Sequence, residues 1–385
     1  MPTAAPDPTP QATTGRVPAA GSKQGPPSSR PSSDEGQRTL AEVGEAGVLA
    51  AIFPVLEADP ATAARYVRLG PGDDCAVLAA PDGQVVVSSD VLVEGQDFLL
   101  DTSSGRDIGA KAAAANLADI AAMGAVTTSM VVALVAPART TLGFVVDLAA
   151  GLGEAARAAG AVVVGGDLSD GPVVMVSVTV LGDLQGRAPV RRDGARPGDV
   201  LAFAGSLGWA AAGLEVLSRE GDVATGAGSS LPSEAGVRHA LARARAHQRS
   251  ARVPLAAGPR AARAAATAMI DVSDGLLRDA DRIAQASGVV VVVDSTAGPV
   301  EQARQGVAPV AQWLGHAEPM ERAWTWVLAG GEDHGLLATF PDAGQVPDGF
   351  EVIGRVESAG AGSSGLRVDG PGARVQASGW DHYRR

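Results

Sequence analysis

At 385 residues the chain exceeds one ordinary hydrophobic core, so two domains are expected. Its 43 acidic against 31 basic residues leave a net charge of −12, which argues against nucleic acid and anionic membranes as partners yet leaves phosphate binding through recruited cations open. One cysteine excludes an internal disulfide, no apolar run reaches bilayer length, and the first residues lack the basic-then-apolar order of a secretory signal, so a cytoplasmic location is expected.

Residues 1–37 are rich in Pro, Ser, Thr and Gly with few large apolar side chains, and a disordered tail is expected there. Helical spacing starts with "LAEVGEAGVLAAIFPVL". In "GPGDDCAVL" Asp73 and Asp74 stand side by side, and neighbours on a strand face opposite ways, so one of them needs a positive partner. Cys75, followed by aliphatic residues, reads as a small buried hydrophobe. Strand-like runs "DCAVLAA" and "QVVVSSDVLV" lead to an alanine-rich helix, "DIGAKAAAANLADIAAMGA". The strand "SMVVALVA", a helix over 141–159 and the runs "AVVVGG" and "VVMVSVTVLG" complete a mixed unit, residues 38–190. The Pro-Gly-Asp turn in "RRDGARPGDVLAFAG" opens a second unit, residues 191–385. There a helix around "GWAAAGLEVLSRE" runs into "GDVATGAGSSLPSEAG", read as an exposed loop, and arginines cluster from Val237 to Arg263 as a solvated helical face or an anion-facing surface. The glycines of "AGSLGWAAAG" serve helix packing or cradle an anion at a helix start.

Apolar runs repeatedly meet acid beside glycine or a hydroxyl: "GPGDD", "VVVSSD", "VVVGGD", "AMIDVSDG" and "WVLAGGED". Acids placed at strand ends are where sites are commonly built. On the alanine-rich helix, 100° per residue puts Asp119 in one stripe with Ile108, Ala112, Ala115 and Ala122. A carboxylate there must be neutralised, paired or bound to metal, and Lys111 lies toward the same side as a structural partner. "DVSDGLLRDADRIAQASG" starts like a calcium loop but has Arg282 at its twelfth position, which excludes an EF-hand. It reads instead as a strand through Asp271, a cap at Ser273 or Asp274, and a helix closing before Gly288. Hard oxygen donors with few histidines point to magnesium bridging substrate phosphates. There is no P-loop lysine motif, so a nucleotide would be held through metal.

Taken in order, "GPGDDCAVL", "SSDVLVEGQDF", "AANLADIAAMGA", "VGGDLSDGP", "RDGARPGD", "IDVSDGL", "GGEDHGLL" and "GWDHY" resemble the thiamine-monophosphate kinase family, within the aminoimidazole ribonucleotide synthetase-like superfamily, from Leu40 to Tyr383. The resemblance implies a two-domain α/β (mixed α+β) fold: an N-terminal domain whose mixed sheet pairs in a homodimer, and a C-terminal α/β domain that completes the site. It implies transfer of the ATP γ-phosphoryl to thiamine monophosphate, with several Mg2+ ions and ATP as co-substrate; because the acceptor phosphate is largely anionic at neutral pH, direct in-line transfer without a phospho-enzyme is expected. By motif, Asp74, Ser88, Ser89, Asp90, Asp119, Asp167, Asp271 and Asp274 look like the magnesium set, with Asp74 selected from the opening pair. Gly166, Asp167, Arg192 and Ser273 are similar to the ATP contacts, and Asp119, Asp167, Arg192 and Asp271 to the catalytic groups. Glu332 and Trp380 fall where the family holds the thiamine moiety.

The chain departs from the family pattern in three places. Asp97 replaces a histidine near the substrate, where an acid could pair with the cationic thiazolium; His334 and Gly335 replace Tyr-Glu after "GGED"; and "HQRSARVPLAAGPR" matches the proline-bearing arginine motif loosely. Two other readings fit the same motifs: a synthetase-type enzyme of the superfamily, and a non-catalytic sensor of nucleotide or thiamine phosphate.

Overall fold

The computed structural model describes residues 33–71, 75–223, 234–360 and 363–376. Asp73, Asp74, Trp380 and the centre of the expected loop after the "GWAAAG" helix lie outside them. The first half carries helices α1 (Ser33–Gly36), α2 (Leu40–Leu56), α3 (Pro60–Tyr66), α4 (Gly105–Ala122) and α5 (Leu142–Ala159). Its strands are β1 (Val67–Leu69), β2 (Val77–Leu78), β3 (Val86–Val93), β4 (Val126–Ala136), β5 (Val162–Asp170) and β6 (Met175–Asp183). A capping box starts α2, with Glu42 Oε2 accepting from Thr39 N at 2.8 Å and Thr39 Oγ1 accepting from Glu42 N at 3.4 Å. The run "DCAVLAA" pairs over only the two residues of β2, against β1. Cys75 is therefore exposed rather than buried: it sits on the turn ahead of a ribbon too short to cover it.

Strands β3–β6 form a sheet in the order β3-β6-β4-β5, antiparallel except for the parallel β4–β5 pair. Alternation along β6 turns Val176, Val178 and Val180 into the core under α4 and α5, and Ser177 and Thr179 to the other face. Asp90 and Asp167 lie within β3 and β5, the two edge strands, not at strand ends as their motifs suggested.

Helix α4 is buried nearly all round, not along one stripe. Alanines and glycines make this possible. A Cβ on Gly109 would lie 2.0 Å from Leu148 O, and one on Gly151 of α5 would lie 2.1 Å from Arg106 O, so the two helices cross at backbone contact.

The second half has strands β7 (Val200–Ala204), β8 (Ala268–Val272), β9 (Val289–Asp294), β10 (Gly335–Phe340), β11 (Glu351–Ser358) and β12 (Gly365–Asp369). Its helices are α6 (Trp209–Val223), α7 (Ala235–Arg249), α8 (Ala257–Arg263), α9 (Leu276–Ser287), α10 (Gly298–Leu314) and α11 (Pro319–Ala329). Its sheet runs β12-β9-β11-β7-β10-β8, antiparallel apart from the parallel β12–β9 edge, and packs against α6, α7, α9, α10 and α11. A smaller core joins the halves, with Ala121 and Ala122 of α4 packed among Ala257, Met269, Leu336 and Phe340. Among the described residues no helix is long and apolar enough to cross a membrane.

Candidate active site

Between the two halves lies a cleft of about 450 Å³. Asp90 and Asp119 enter it from the first half, and Asp271, Ser273, Asp274, Glu332 and His334 from the second. Ser88 stands behind Asp119 and donates from Oγ to Asp119 Oδ2 at 2.5 Å. Asn116, one helical turn before Asp119, accepts from Asp90 N at 3.1 Å, which locks β3 to α4. Lys111 is not the partner of Asp119; it reaches the second half instead.

The three acids repel one another. Burial, then the charge of Asp271, push the Asp119 carboxyl up to about 7, with the charge of Asp90 adding and the Ser88 hydrogen bond opposing. Asp90 is also raised, by burial first and then by Asp271. Asp271, next to last in β8, is buried, with His334 Nδ1 at 3.4 Å from its Oδ2. Burial works against the His334 imidazolium, but the hydrogen bond and charge of Asp271, with the charge of Glu332, outweigh it and raise His334 above 6.5.

The segment Glu332–Asp333–His334 sends three consecutive side chains to three places. Glu332 and His334 adopt left-handed backbone angles, φ 66° and 51°, which cost energy in non-glycine residues and recur at functional sites. Glu332 receives Lys111 Nζ on Oε1 and Gln248 Nε2 on Oε2, both at 2.7 Å. Asp333 caps α6, accepting from Gly208 N at 2.5 Å and Ala210 N at 3.0 Å. The anion at the start of the "GWAAAG" helix is thus the chain's own carboxylate.

Helix α9 starts after Gly275 without a side-chain cap, so Ser273 and Asp274 do not take the expected capping role. The reason is Asp279, fully buried, whose Oδ2 accepts from Asp274 N at 3.0 Å. Arg282 then pairs with Asp274 Oδ2 and with Asp279 Oδ1, each at 2.5 Å. Burial and the charge of Asp271 push Asp279 up to about 7 against the pull of Arg282.

Other expected site residues lie elsewhere. Gly166 and Asp167 occupy β5; through the rows Asp90–Val178–Val132–Gly166 they are three strand spacings, roughly 14 Å, from β3. A Cβ on Gly166 would lie 1.9 Å from Val132 O, so that strand approach demands glycine. Asp167 accepts from Ser169 Oγ at 2.8 Å. Ser89 bonds Thr179 Oγ1 across the outer face of the sheet at 2.8 Å. Arg192 is exposed near the junction of the halves. Asp97 lines the cleft, but its Oδ2 accepts from Val93 N at 2.8 Å and its carbonyl from Lys111 Nζ at 2.8 Å. Sequence reasoning missed Asp279, Gln248 and the Lys111–Glu332 pair. For Asp279 a signal existed, an acid on the apolar side of α9, two turns' worth of alanine and leucine around it.

Among the described residues no three His, Cys, Asp or Glu side chains close round a single point as a ready cation cage. The donor set is nonetheless hard oxygen, with negative charge that His334 and the Ser88 hydrogen bond offset only in part, which fits a Mg2+ ion held by one or two carboxylates and completed by water and substrate phosphates.

The chain matches two family models: AIR synthase related protein, N-terminal domain, over residues 72–184, and AIR synthase related protein, C-terminal domain, over residues 196–366. It is 42% identical over 347 residues to the thiamine-monophosphate kinase of Mycobacterium tuberculosis, covering 90% of this chain and 91% of that one. The crystal structure of thiamine-monophosphate kinase from Stenotrophomonas maltophilia K279a is similar at 30% identity, TM-score 0.65, with 81% of this chain and 96% of that one covered. The structure of AaThiL complexed with AMPPCP and TMP is similar at 29% identity, TM-score 0.65, with 90% of this chain and 99% of that one covered. With both halves matched and these relatives spanning nearly the whole length, the chain belongs to the thiamine-monophosphate kinase family of AIR synthase related proteins.

Proposed function

We propose that this chain transfers the γ-phosphoryl of ATP directly onto the phosphate of thiamine monophosphate, giving thiamine diphosphate and ADP. The observation that carries the reading is the meeting of Asp90 and Asp119 with Asp271 from the other half, around one cleft, in mutual repulsion. The names of the relatives, and a similar structure holding AMPPCP and TMP, support the substrates. A phosphate monoester is largely dianionic at neutral pH, its second pKa being about 6, so the acceptor needs no strong general base. The difficulty is the approach of two polyanions. Mg2+ ions, each held by one or two of Asp90, Asp119 and Asp271, would supply charge neutralisation and alignment of donor with acceptor. Ser88 orients Asp119, and Glu332 with the apolar wall of the cleft receives the organic part of the acceptor. Asp74, Asp167, Arg192, Ser273 and Asp274 are assigned to the phosphate and metal side by motif, and Trp380 to the thiamine side.

We read residues 38–190 as the nucleotide and metal domain and 191–385 as the domain completing the site, in a cytoplasmic homodimer. The dimer is supported by the sheet's outer face, where Val87 is 63% exposed and Val91 and Val131 are also open to solvent. An ATP-consumption assay with and without thiamine monophosphate, with the product identified, tests the function. Turnover to thiamine diphosphate supports it. Binding of both ligands without ATP loss would identify a sensor, and label found on the protein after ATP alone would overturn direct transfer.

A further inference from the structure

The organic half of the cleft has two walls from different halves of the molecule. One is the loop between β3 and α4, carrying Phe98 and Leu99; the other is α6, carrying Leu214 and Leu217. Leu99 is 50% and Leu214 47% exposed, so both offer apolar surface to the cleft. Their spacing depends on how the halves are tied together here.

The ties are polar and mostly dry. Lys111 Nζ, on a side chain only 9% exposed, bonds the Asp97 carbonyl in its own loop and Glu332 across the cleft. Gln248 near the end of α7 holds the other Glu332 oxygen. The next residue, Arg249, donates from Nε to the Thr102 carbonyl at 2.7 Å, gripping the far end of the same loop. So Glu332 is fixed by both oxygens, with 36% of its side chain left open. Among the described residues no group pairs with Gln248 Oε1, which is buried.

We propose that Lys111, Gln248 and Arg249 are positioning residues that clamp the Asp97–Thr102 loop and Glu332 in register, and so set the width and polarity of the acceptor pocket. The clamp rests on the phosphotransfer reading of the cleft. It acts on the acceptor, because none of its bonds reaches Asp90, Asp119 or Asp271. Desolvated charge-assisted bonds are the ones whose loss is felt most strongly.

The test is steady-state kinetics with calorimetric titration of thiamine monophosphate in the absence of ATP, on wild type, Lys111→Met, Gln248→Leu and Lys111→Arg. Gln248→Leu removes the orphaned oxygen together with the bond to Glu332, so the two effects on stability oppose each other and the variant should remain folded. Lys111→Met and Gln248→Leu are expected to raise KM for thiamine monophosphate and weaken its calorimetric affinity by about tenfold, with KM for ATP moving about twofold or less and Lys111→Arg largely restored. Equal shifts for ATP and acceptor, or an unchanged acceptor affinity in active enzyme, would overturn the clamp alone. Wild-type enzyme inert toward thiamine monophosphate would overturn the phosphotransfer reading, and the clamp's role with it.

Discussion

Ser88 Oγ hydrogen-bonds Asp119 Oδ2 at 2.5 Å, joining an edge strand to a helix buried on nearly every side. The bond holds the Asp119 carboxylate in place against the burial, and then the charge of Asp271, that push its proton affinity up.

Asp119→Asn keeps the shape and the Ser88 partner while removing the charge. Turnover should fall by about 100-fold or more, as for loss of a group that acts on transition-state charge. The circular dichroism spectrum should not change, and the melting temperature at pH 7.5 should stay level or rise.

The protein without metal should be more stable at pH 5.5 than at pH 7.5. Asp119 and Asp279 both have folded values of about 7, above the ordinary 3.8, so the folded chain binds more protons than the unfolded one between those limits. Stability is therefore lost as pH rises toward 7. His334, raised above 6.5, acts in the same direction, its contribution present at low pH and lost as it deprotonates. Carboxyls with lowered values, such as Glu332, lose their contribution only below about 4.5, their unfolded value. Urea melts at the two pH values check the sign, and added Mg2+ should raise the midpoint more at pH 7.5, where the acids are charged.

Arg282→Ala should unfold the turn that presents Asp271 and Asp274 more readily. It strips the partner from fully buried Asp279, a loss on the order of 3 kcal/mol when the carboxyl is ionised. At pH 5.5, below its folded value of about 7, Asp279 is protonated, so the same substitution should cost less. Denaturant midpoints of wild type and variant at both pH values give the comparison. Equal losses would mean that the pair contributes through packing alone.

Gly151→Ala tests the crossing of α4 and α5. The new methyl would start 2.1 Å from Arg106 O, so the helices must separate, at a cost of about 1–3 kcal/mol. Because α4 carries Asp119, reduced activity should accompany the lower melting temperature.

What the amino-acid order determined by itself was local. Periodicity and turn residues located α4, α5, β4 and the Pro-Gly-Asp turn ahead of β7, because hydrogen bonding and face burial within a segment depend on its own residues. Motif order was enough to find the family, and the helical angle placed Asp119 among residues that should be covered. The partners were decided only by the tertiary structure. Lys111 sits near Asp119 along the helix yet bonds Glu332, and Asp274 lies beside a helix start yet pairs with Arg282. Asp90, preceded by two serines, and Asp167, preceded by two glycines, lie on opposite edges of one sheet. Burial and charge coupling act through space between segments far apart in the chain, and no window of sequence contains both sides of such a contact.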